Sequence, residues 1–417
     1  MYYLLEKFNK DFRGALDLSY KDLIFNISAG VIFLVAFSFF YVNVLMNTEG
    51  QHFLVLAQSF LQGKLYFLFD PYKNWVDTAL VFGHYYFPLG PLPAALLVPF
   101  AWFFSLFNPP FYQGYMQLYI VLAILYFIFK LARISKFSQY DSFFIMTAFF
   151  TSSFLHIAMF PAYSYFAHVV VVGLSLAIIL EYLSSKRYWV IGLLIGFLLL
   201  TRITAGLSIV FFVIDILLNK DVDPQKKYKA LFKLLLPFFL GILLLSLYNY
   251  LRFNDFLETG YSFQRVIEYS LFKAREYGLF SLIHLPGNLY YLLLATPEPV
   301  FRDGFSHVLV YPFVKLNPWG MSIFITSPYL LYLFKFKYKN IVSQLLLLTI
   351  FVIAIPVLLY YGIGFYQFGY RYAFDFIPFL FFLFIREYND KYGKLSYGIK
   401  FLILISAMFN LYLIATT

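Results

Sequence analysis

The chain has 417 residues, of which 62% are hydrophobic and only 12% are charged. Soluble globular proteins carry about a quarter charged residues, so this composition excludes a soluble multi-domain enzyme. The 24% aromatic content excludes a disordered chain. The formal charge of +10 resides in short basic clusters between apolar runs, which is the positive-inside pattern of a multi-pass membrane protein. The chain has no cysteine, which excludes disulfides and thiolate metal sites.

Apolar runs predict the membrane-spanning segments. The first, 23–46, is too long for the core of a signal peptide, so we interpret it as an uncleaved span. Further runs lie at 91–107, 112–129, 142–160, 163–181, 231–251, 319–334, 341–361, 371–386 and 397–416. The stretch 188–218 is interrupted by Thr201-Arg202, which predicts two short helices or one broken helix. The sequence therefore predicts an all-α, polytopic integral membrane protein with about 11–13 membrane helices.

Two long stretches, 47–90 and 252–318, carry too much charge or polarity to be plain spans, so we expect both to lie at the membrane surface. The first loop has an amphipathic middle. There, the spacing of Phe53, Leu56 and Phe60, together with Ala57, places them on one helical face and predicts a helix lying in the interface.

The basic clusters set the topology. From Lys130 onward an even number of segments separates neighbouring clusters, so these clusters can share the cytoplasmic side, with 252–318 outside. The N-terminal cluster, which places 47–90 outside as well, consists of Lys7, Lys10, Arg13 and Lys21. Three segments separate that cluster from Lys130, whereas parity requires an even number. Either one segment between 88 and 129 fails to cross, or the cluster at 130 breaks the rule.

The first outer loop contains the candidate acids. Glu49 directly follows the first span, and periodicity alone favours a helix N-terminal acid that complements the helix dipole. Asp77 lies among aromatics and prolines and is followed by His84, Tyr85 and Tyr86. Aromatic rings beside a carboxylate are what sugar binding requires, although interfacial tyrosines also serve as membrane anchors.

Two arginines are candidate phosphate ligands, because guanidinium groups bind phosphate in a bidentate manner. Arg202 and Arg371 both lie near the outer face of the predicted topology. An ion pair between Arg371 and Asp375 and snorkelling of Arg202 explain them equally well. No P-loop, GxSxG or HExxH motif occurs, and the histidines have no metal-ligand spacing. No cofactor or metal site is predicted, and a need for a divalent metal is left open.

In order and membrane placement, these features resemble the GT-C membrane glycosyltransferases, in particular the protein O-mannosyltransferase and aminoarabinose-transferase group. Glu49 resembles the acid that opens the first outer loop of that family, and the resemblance extends from about residue 23 to 386. The other matching segments are QGKLY (62–66), GHYY (83–86), PLGPLP (88–93), LTR (200–202), NYLRF (249–253), LETGY (257–261) and QFGYRY (367–372).

The resemblance implies a single transmembrane glycosyltransferase domain, 1–417, in the cell membrane, with its active site on the outer face. Such enzymes transfer a sugar with inversion from a polyprenyl-phosphate carrier to an acceptor, here an unknown protein, lipid or glycan. By this resemblance Glu49 is the general base, Asp77 is a second acid, and Arg371 and Arg202 hold the donor phosphate. The sugar or acceptor contacts would be His84, Tyr85 and Tyr86.

The expected partners are the donor lipid, the acceptor and membrane lipids, with no nucleic acid. The alternative reading is a secondary transporter or lipid flippase of the polytopic helical class, which also has about 12 segments and a few buried charges.

Overall fold

The computed structural model describes residues 20–107, 110–220 and 223–416, so Lys7, Lys10 and Arg13 of the N-terminal basic cluster lie outside the described residues. The helices, in chain order, are α1 (Tyr20–Met46), α2 (His52–Leu61), α3 (Leu92–Ser105), α4 (Gln113–Ile134), α5 (Gln139–Phe150), α6 (Phe154–Met159), α7 (Tyr165–Leu183), α8 (Tyr188–Leu199), α9 (Ile203–Gly206), α10 (Ile209–Leu218), α11 (Pro224–Phe253), α12 (Tyr269–Arg275), α13 (Leu285–Leu293), α14 (Ile323–Thr326), α15 (Ile341–Leu359), α16 (Ile377–Tyr392) and α17 (Tyr397–Ala415). Two antiparallel hairpins pair β1 (Ala79–Val81) with β2 (His84–Tyr86) and β3 (Glu298–Phe301) with β4 (Leu309–Lys315).

The all-α, multi-pass membrane class is confirmed. In the described part of the chain, α1, α4, α7, α11, α15 and α17 are the six helices long and apolar enough to cross a membrane unaided. The other predicted segments are shorter or broken. Helices α5 and α6 form a pair bent by 67°. The predicted segment 319–334 divides into α14 and a 3₁₀ helix, Pro328–Lys335, because Pro328 has no amide proton to continue the α-helix.

The interruption at Thr201-Arg202 is confirmed as a helix break. Helix α8 ends at Leu199, Arg202 has extended backbone angles (φ −147°, ψ 116°), and α9 begins at Ile203. The break turns the Arg202 side chain away from the lipid-facing surface and into the protein.

Charged residues join several span ends on one side of the molecule. Lys400 in the first turn of α17 forms ion pairs with Asp141 in α5 (3.0 Å) and with Asp22 in α1 (3.6 Å). Lys391 in α16 donates a hydrogen bond to the carbonyl of Lys335 (3.1 Å). We call this the basic side, because the basic clusters of the sequence lie at these span ends.

The two long loops meet on the opposite side, here called the loop side. The Arg265 amide donates to the Thr78 carbonyl (2.8 Å), and Ala79 forms an isolated antiparallel bridge with Gln264. These contacts place 252–318 on the same side as the first loop, as the predicted topology requires.

Helix α3 accounts for the parity conflict of the sequence. It begins at the α8–α9 break, where the Leu92 amide donates to the Leu200 carbonyl (3.0 Å). Near its end, the Phe104 ring stacks on Phe111 with centroids 4.8 Å apart, and the amide of Gln113, the first residue of α4, donates to Oε1 of Gln51 in the first loop (2.9 Å). Both ends are therefore on the loop side. Helix α3 therefore does not cross, and two crossings, α1 and α4, separate Lys21 from Lys130.

Two packing features shape the loop side. In α2 the predicted apolar face, including Phe53 and Leu56, is buried, but Leu54 and Val55 are buried too. Other parts of the protein thus surround α2 on nearly all sides, whereas the sequence predicted an amphipathic helix lying in the membrane interface. Helices α8 and α11 approach backbone to backbone, since a Cβ on Gly241 would lie only 2.8 Å from Cα of Gly196.

Candidate functional site

A cavity of about 540 Å³ opens on the loop side. It is enclosed by the α8–α9 break, the loop-side ends of α11 and α15, and both long loops. Its charged lining residues are Asp77, Arg202, Arg252, Glu258 and Arg371, and most of the remaining wall is aromatic or aliphatic. An apolar pocket with a few convergent charged groups is typical of a small-molecule binding site.

A contorted loop segment presents Asp77 to this cavity. The Asp70 carboxylate accepts hydrogen bonds from the amides of Tyr72 (3.0 Å) and Trp75 (3.2 Å), and the Trp75 ring stacks on Tyr85 with centroids 3.9 Å apart. Asp77 itself has φ +57°, a left-handed conformation that costs a non-glycine residue roughly 1–2 kcal/mol. The neighbouring contacts therefore hold the carboxylate in an orientation that the isolated chain would not favour.

The Asp77 carboxylate lies in an enclosed polar setting. Its Oδ1 accepts a hydrogen bond from Nε2 of Gln264 (3.3 Å). Behind it, the fully buried His52 donates from Nε2 to the Val76 carbonyl (2.9 Å). Burial raises the pKa of Asp77, and His52, Arg371 and Gln264 act in the opposite direction. A carboxylate with a raised pKa is a stronger proton acceptor, which suits a general base.

Arg202 forms a buried ion pair. Its Nε and Nη2 atoms donate to the two Asp375 oxygens at 2.6 and 3.0 Å, and Thr204 Oγ1 also donates to this carboxylate. The side chains of Arg202 and Asp375 are only 10% and 0% exposed. The proposed i,i+4 partner of Arg371 is thus the partner of Arg202, and the ion-pair explanation of Arg371 is wrong. Residues 371–375 form a 3₁₀ turn, so the α-helical i,i+4 geometry does not apply there.

Arg371 has no carboxylate within 4.0 Å among the described residues. Its Nη1 donates to the Tyr165 hydroxyl (3.1 Å) and the Phe365 carbonyl (3.0 Å). On the opposite edge, Nη2 reaches only the Tyr372 hydroxyl at 3.5 Å, and the buried Nε has no hydrogen-bond partner. Arg202 uses the same Nε–Nη2 edge to hold a carboxylate, whereas no described carboxylate occupies that edge of Arg371.

Arg252 is a third cation in the cavity wall, which sequence reasoning did not assign to the site. It is 2% exposed, and its guanidinium donates to the Phe87 carbonyl (2.6 Å) and to Asn249 Oδ1 (2.8 Å). The group lies 3.8 Å from the Tyr248 ring centroid. Its acceptors are all neutral, so its charge adds to the positive potential of the cavity. The signal in the sequence was an arginine at the end of an otherwise apolar span.

Glu49 is placed differently from Asp77. It is exposed and does not line the cavity. Its turn is held against the loop before α7, where the Tyr163 amide donates to the Gly50 carbonyl (2.9 Å). Burial and the Tyr72 hydroxyl raise the pKa of Tyr163, with smaller contributions from the Asp77 and Glu49 carboxylates. Tyr163 therefore lies within electrostatic range of both acids.

The three predicted sugar or acceptor residues lie in the β1–β2 hairpin outside the cavity. His84 is exposed and stacks on Tyr66 with centroids 3.9 Å apart. Tyr85 stacks on Trp75, and the buried Tyr86 meets the Phe253 ring edge-on at 5.3 Å. The rings that do line the cavity are Phe87, Tyr261, Phe280, Tyr360, Tyr361 and Tyr372. Among the residues described, no group of three or more His, Asp or Glu side chains is arranged to hold a metal ion.

No protein-family model and no curated protein matches the chain. Two solved structures that match are the Archaeoglobus fulgidus oligosaccharyltransferase in its apo form, at 14% identity and a TM-score of 0.47 over 94% of this chain, and the oligosaccharyltransferase AglB of that organism in complex with an inhibitory peptide and a dolichol-phosphate, at 14% identity and a TM-score of 0.46 over 95%. The match covers 55% of each of those chains, so this chain spans about half their length.

Proposed function

We propose that the protein is a membrane glycosyltransferase that moves a sugar from a polyprenyl-phosphate carrier to an acceptor hydroxyl at the outer face of the membrane. The observation that carries this proposal is one cavity that holds an aspartate with a raised pKa together with two arginines that have no carboxylate partner among the described residues. The cations favour an anionic ligand, and the carboxylate supplies a proton acceptor. The motif resemblance supports the same reaction.

The arginines would stabilise the leaving phosphate. As the sugar–phosphate bond breaks, negative charge grows on the phosphate, and fixed cations in a water-poor cavity lower the energy of that change. The Nε–Nη2 edge, which holds no carboxylate among the described residues, supports Arg371 as the direct ligand. Arg202 is engaged by Asp375, so its role is to orient the Arg371 segment and to add positive potential.

A carboxylate would take the acceptor proton while the acceptor oxygen attacks the anomeric carbon from the face opposite the phosphate, which inverts that carbon. The position of Asp77 in the cavity wall supports it as the base. Glu49, the base implied by the resemblance, lies outside that wall beside Tyr163, which favours a role in holding the loop or in meeting the acceptor as it enters.

Sugar transfer by the purified protein in proteoliposomes tests this assignment. The donors are a panel of polyprenyl-phosphate sugars, and the readout is release of polyprenyl phosphate. Asp77→Asn should reduce transfer about 10²–10⁴-fold, the usual effect of removing a general base, and Glu49→Gln should reduce it much less. Glu276→Gln, at an exposed ion pair with Lys273, is the matched control. A large loss in Glu49→Gln with near-normal turnover in Asp77→Asn would reverse the two roles.

Binding of polyprenyl phosphate tests the phosphate site separately. Arg371→Ala should weaken binding strongly, whereas Arg187→Ala should not, because Arg187 forms an exposed pair with Glu181 on the basic side. Equal affinity in both variants would remove Arg371 from the phosphate site. Lipid that is bound and moved between leaflets while its sugar–phosphate bond stays intact would favour the flippase alternative.

A further inference from the structure

The β3–β4 hairpin of the second loop has an apolar face that no other described residue covers. The side chains of β4 alternate between two environments. The exposed ones are Leu309, Tyr311, Phe313 and Lys315, and the partly buried ones are Val310, Pro312 and Val314. Tyr311 is 74% exposed, and Phe301 on β3 adds a further exposed ring. Water is a poor environment for such a face, so its surroundings require an explanation.

The turn of the hairpin is built to project one more aromatic ring. The Asp303 carboxylate accepts hydrogen bonds from the amides of Phe305 (2.8 Å) and Ser306 (2.6 Å) and from the Ser306 hydroxyl (2.8 Å). These bonds fix the turn, and Phe305 at its tip is 93% exposed. The ring is thus held away from the protein by a defined local structure.

Helix α17 gives the depth of the hairpin relative to the membrane. It begins on the basic side, where Lys400 is paired, and its 19 residues extend about 28 Å, close to the thickness of a hydrocarbon core. Near its far end the Tyr412 hydroxyl donates to the Pro312 carbonyl of β4. The hairpin is therefore fastened at the level where α17 leaves the bilayer.

The side of α17 that holds the hairpin is also its lipid-facing side. Phe401, Ile405 and Met408 are exposed, and with Tyr412 they follow the i, i+4, i+7, i+11 spacing of one helical face. The exposed rings of the hairpin continue this apolar stripe at the membrane boundary, where aromatic side chains are enriched in membrane proteins.

We propose that the β3–β4 hairpin rests on the outer lipid surface, with Phe305, Tyr311 and Phe313 inserted at the boundary between headgroups and acyl chains. The occupant of the exposed face is thus phospholipid. The hairpin fixes the second loop, which forms part of the cavity wall, at a set height above the bilayer. This inference does not depend on the reaction that the cavity performs.

A site-specific fluorophore tests the proposal directly. The chain has no cysteine, so Phe305→Cys introduces a single labelling site, and the exposure of Phe305 means that the substitution removes no packing. The variant is labelled with an NBD fluorophore in phosphatidylcholine nanodiscs, and quenching by doxyl-labelled lipid is compared with quenching by aqueous iodide. Lys73→Cys, at an exposed position of the first loop, is the control.

We expect the label at 305 to emit at a shorter wavelength than the label at 73, to be quenched by doxyl lipid and to be protected from iodide. Quenching by iodide equal to that at position 73 would overturn the proposal. Protection from both quenchers would also overturn it, because a protein partner or a second copy would then cover the face.

Discussion

Breaking the Arg202–Asp375 ion pair should cost more stability than any other single substitution at the cavity. Asp375→Asn keeps the shape of the side chain but leaves the Arg202 charge without its partner. The pair makes two charge-assisted hydrogen bonds, at 2.6 and 3.0 Å, between side chains that are 10% and 0% exposed. Removing one partner of so buried a pair typically costs about 3–5 kcal/mol.

The free energy of unfolding is measured on the purified protein, and the variants are compared in a double-mutant cycle. Asp375→Leu and Arg202→Met should each be strongly destabilising. The double variant should regain much of the loss, because it no longer buries an unpaired charge. Arg371→Met is the matched comparison. It removes a guanidinium that has no carboxylate within 4.0 Å in the part of the chain that the structure describes, and it should therefore cost far less.

The reasoning would be refuted if Arg371→Met destabilised the protein as much as Arg202→Met, or if the double variant lost the sum of both single effects. The first result would mean that Arg371 has a strong anionic partner within the folded chain. The second would mean that Arg202 and Asp375 contribute independently.

Three further predictions concern the acid, its support and the topology. If Asp77 is the base, the transfer rate should fall as the pH drops through its raised pKa, above the usual aspartate value of about 4. Gln264→Leu should move this fall in the rate–pH profile to higher pH, because the ionised carboxylate loses a hydrogen-bond donor. A profile that does not move would exclude Asp77 as the titrating group. His52→Phe keeps an aromatic ring but loses the hydrogen bond to the Val76 carbonyl, so kcat should fall while the KM for the donor stays nearly constant. His52→Gln should restore part of the rate. Equal losses in kcat and stability would indicate a purely structural histidine. Cysteines at Ser270 and Lys339 should react with an impermeant reagent from opposite sides of the membrane, and reaction from one side would contradict the topology.

The sequence was sufficient for features that depend on local polarity. A Thr-Arg pair in an apolar run cannot stay in lipid at low cost, and the helix breaks at Arg202 as this predicts. The many charged residues of 252–318 likewise predicted that this stretch is a loop. Asp77 could be identified as a candidate because aromatic rings beside a carboxylate are what sugar binding requires.

Other features depend on contacts that local pattern does not encode. Asp375 lies four residues from Arg371, yet its partner is Arg202, 173 positions away, because the backbone at 371–375 is a 3₁₀ turn. Hydropathy could not show that α3 remains on one side, since an apolar helix that stays on one side and a short span have similar compositions. Arg252 could not be placed in the cavity before the end of α11 was brought beside Phe87.

The close approach of α8 and α11 at Gly196 and Gly241 has a consequence for selectivity. Backbones in direct contact have little room to slide, so Arg202, just beyond α8, and Arg252, at the end of α11, move as one body. Asp375 ties the segment that carries Arg371 to the same body. Loop residues such as Tyr261 and Leu279, which lie outside the long helices, complete the cavity wall. For the proposed donor, a set of cations fixed relative to one another would make the protein strict about the charged end of its ligand.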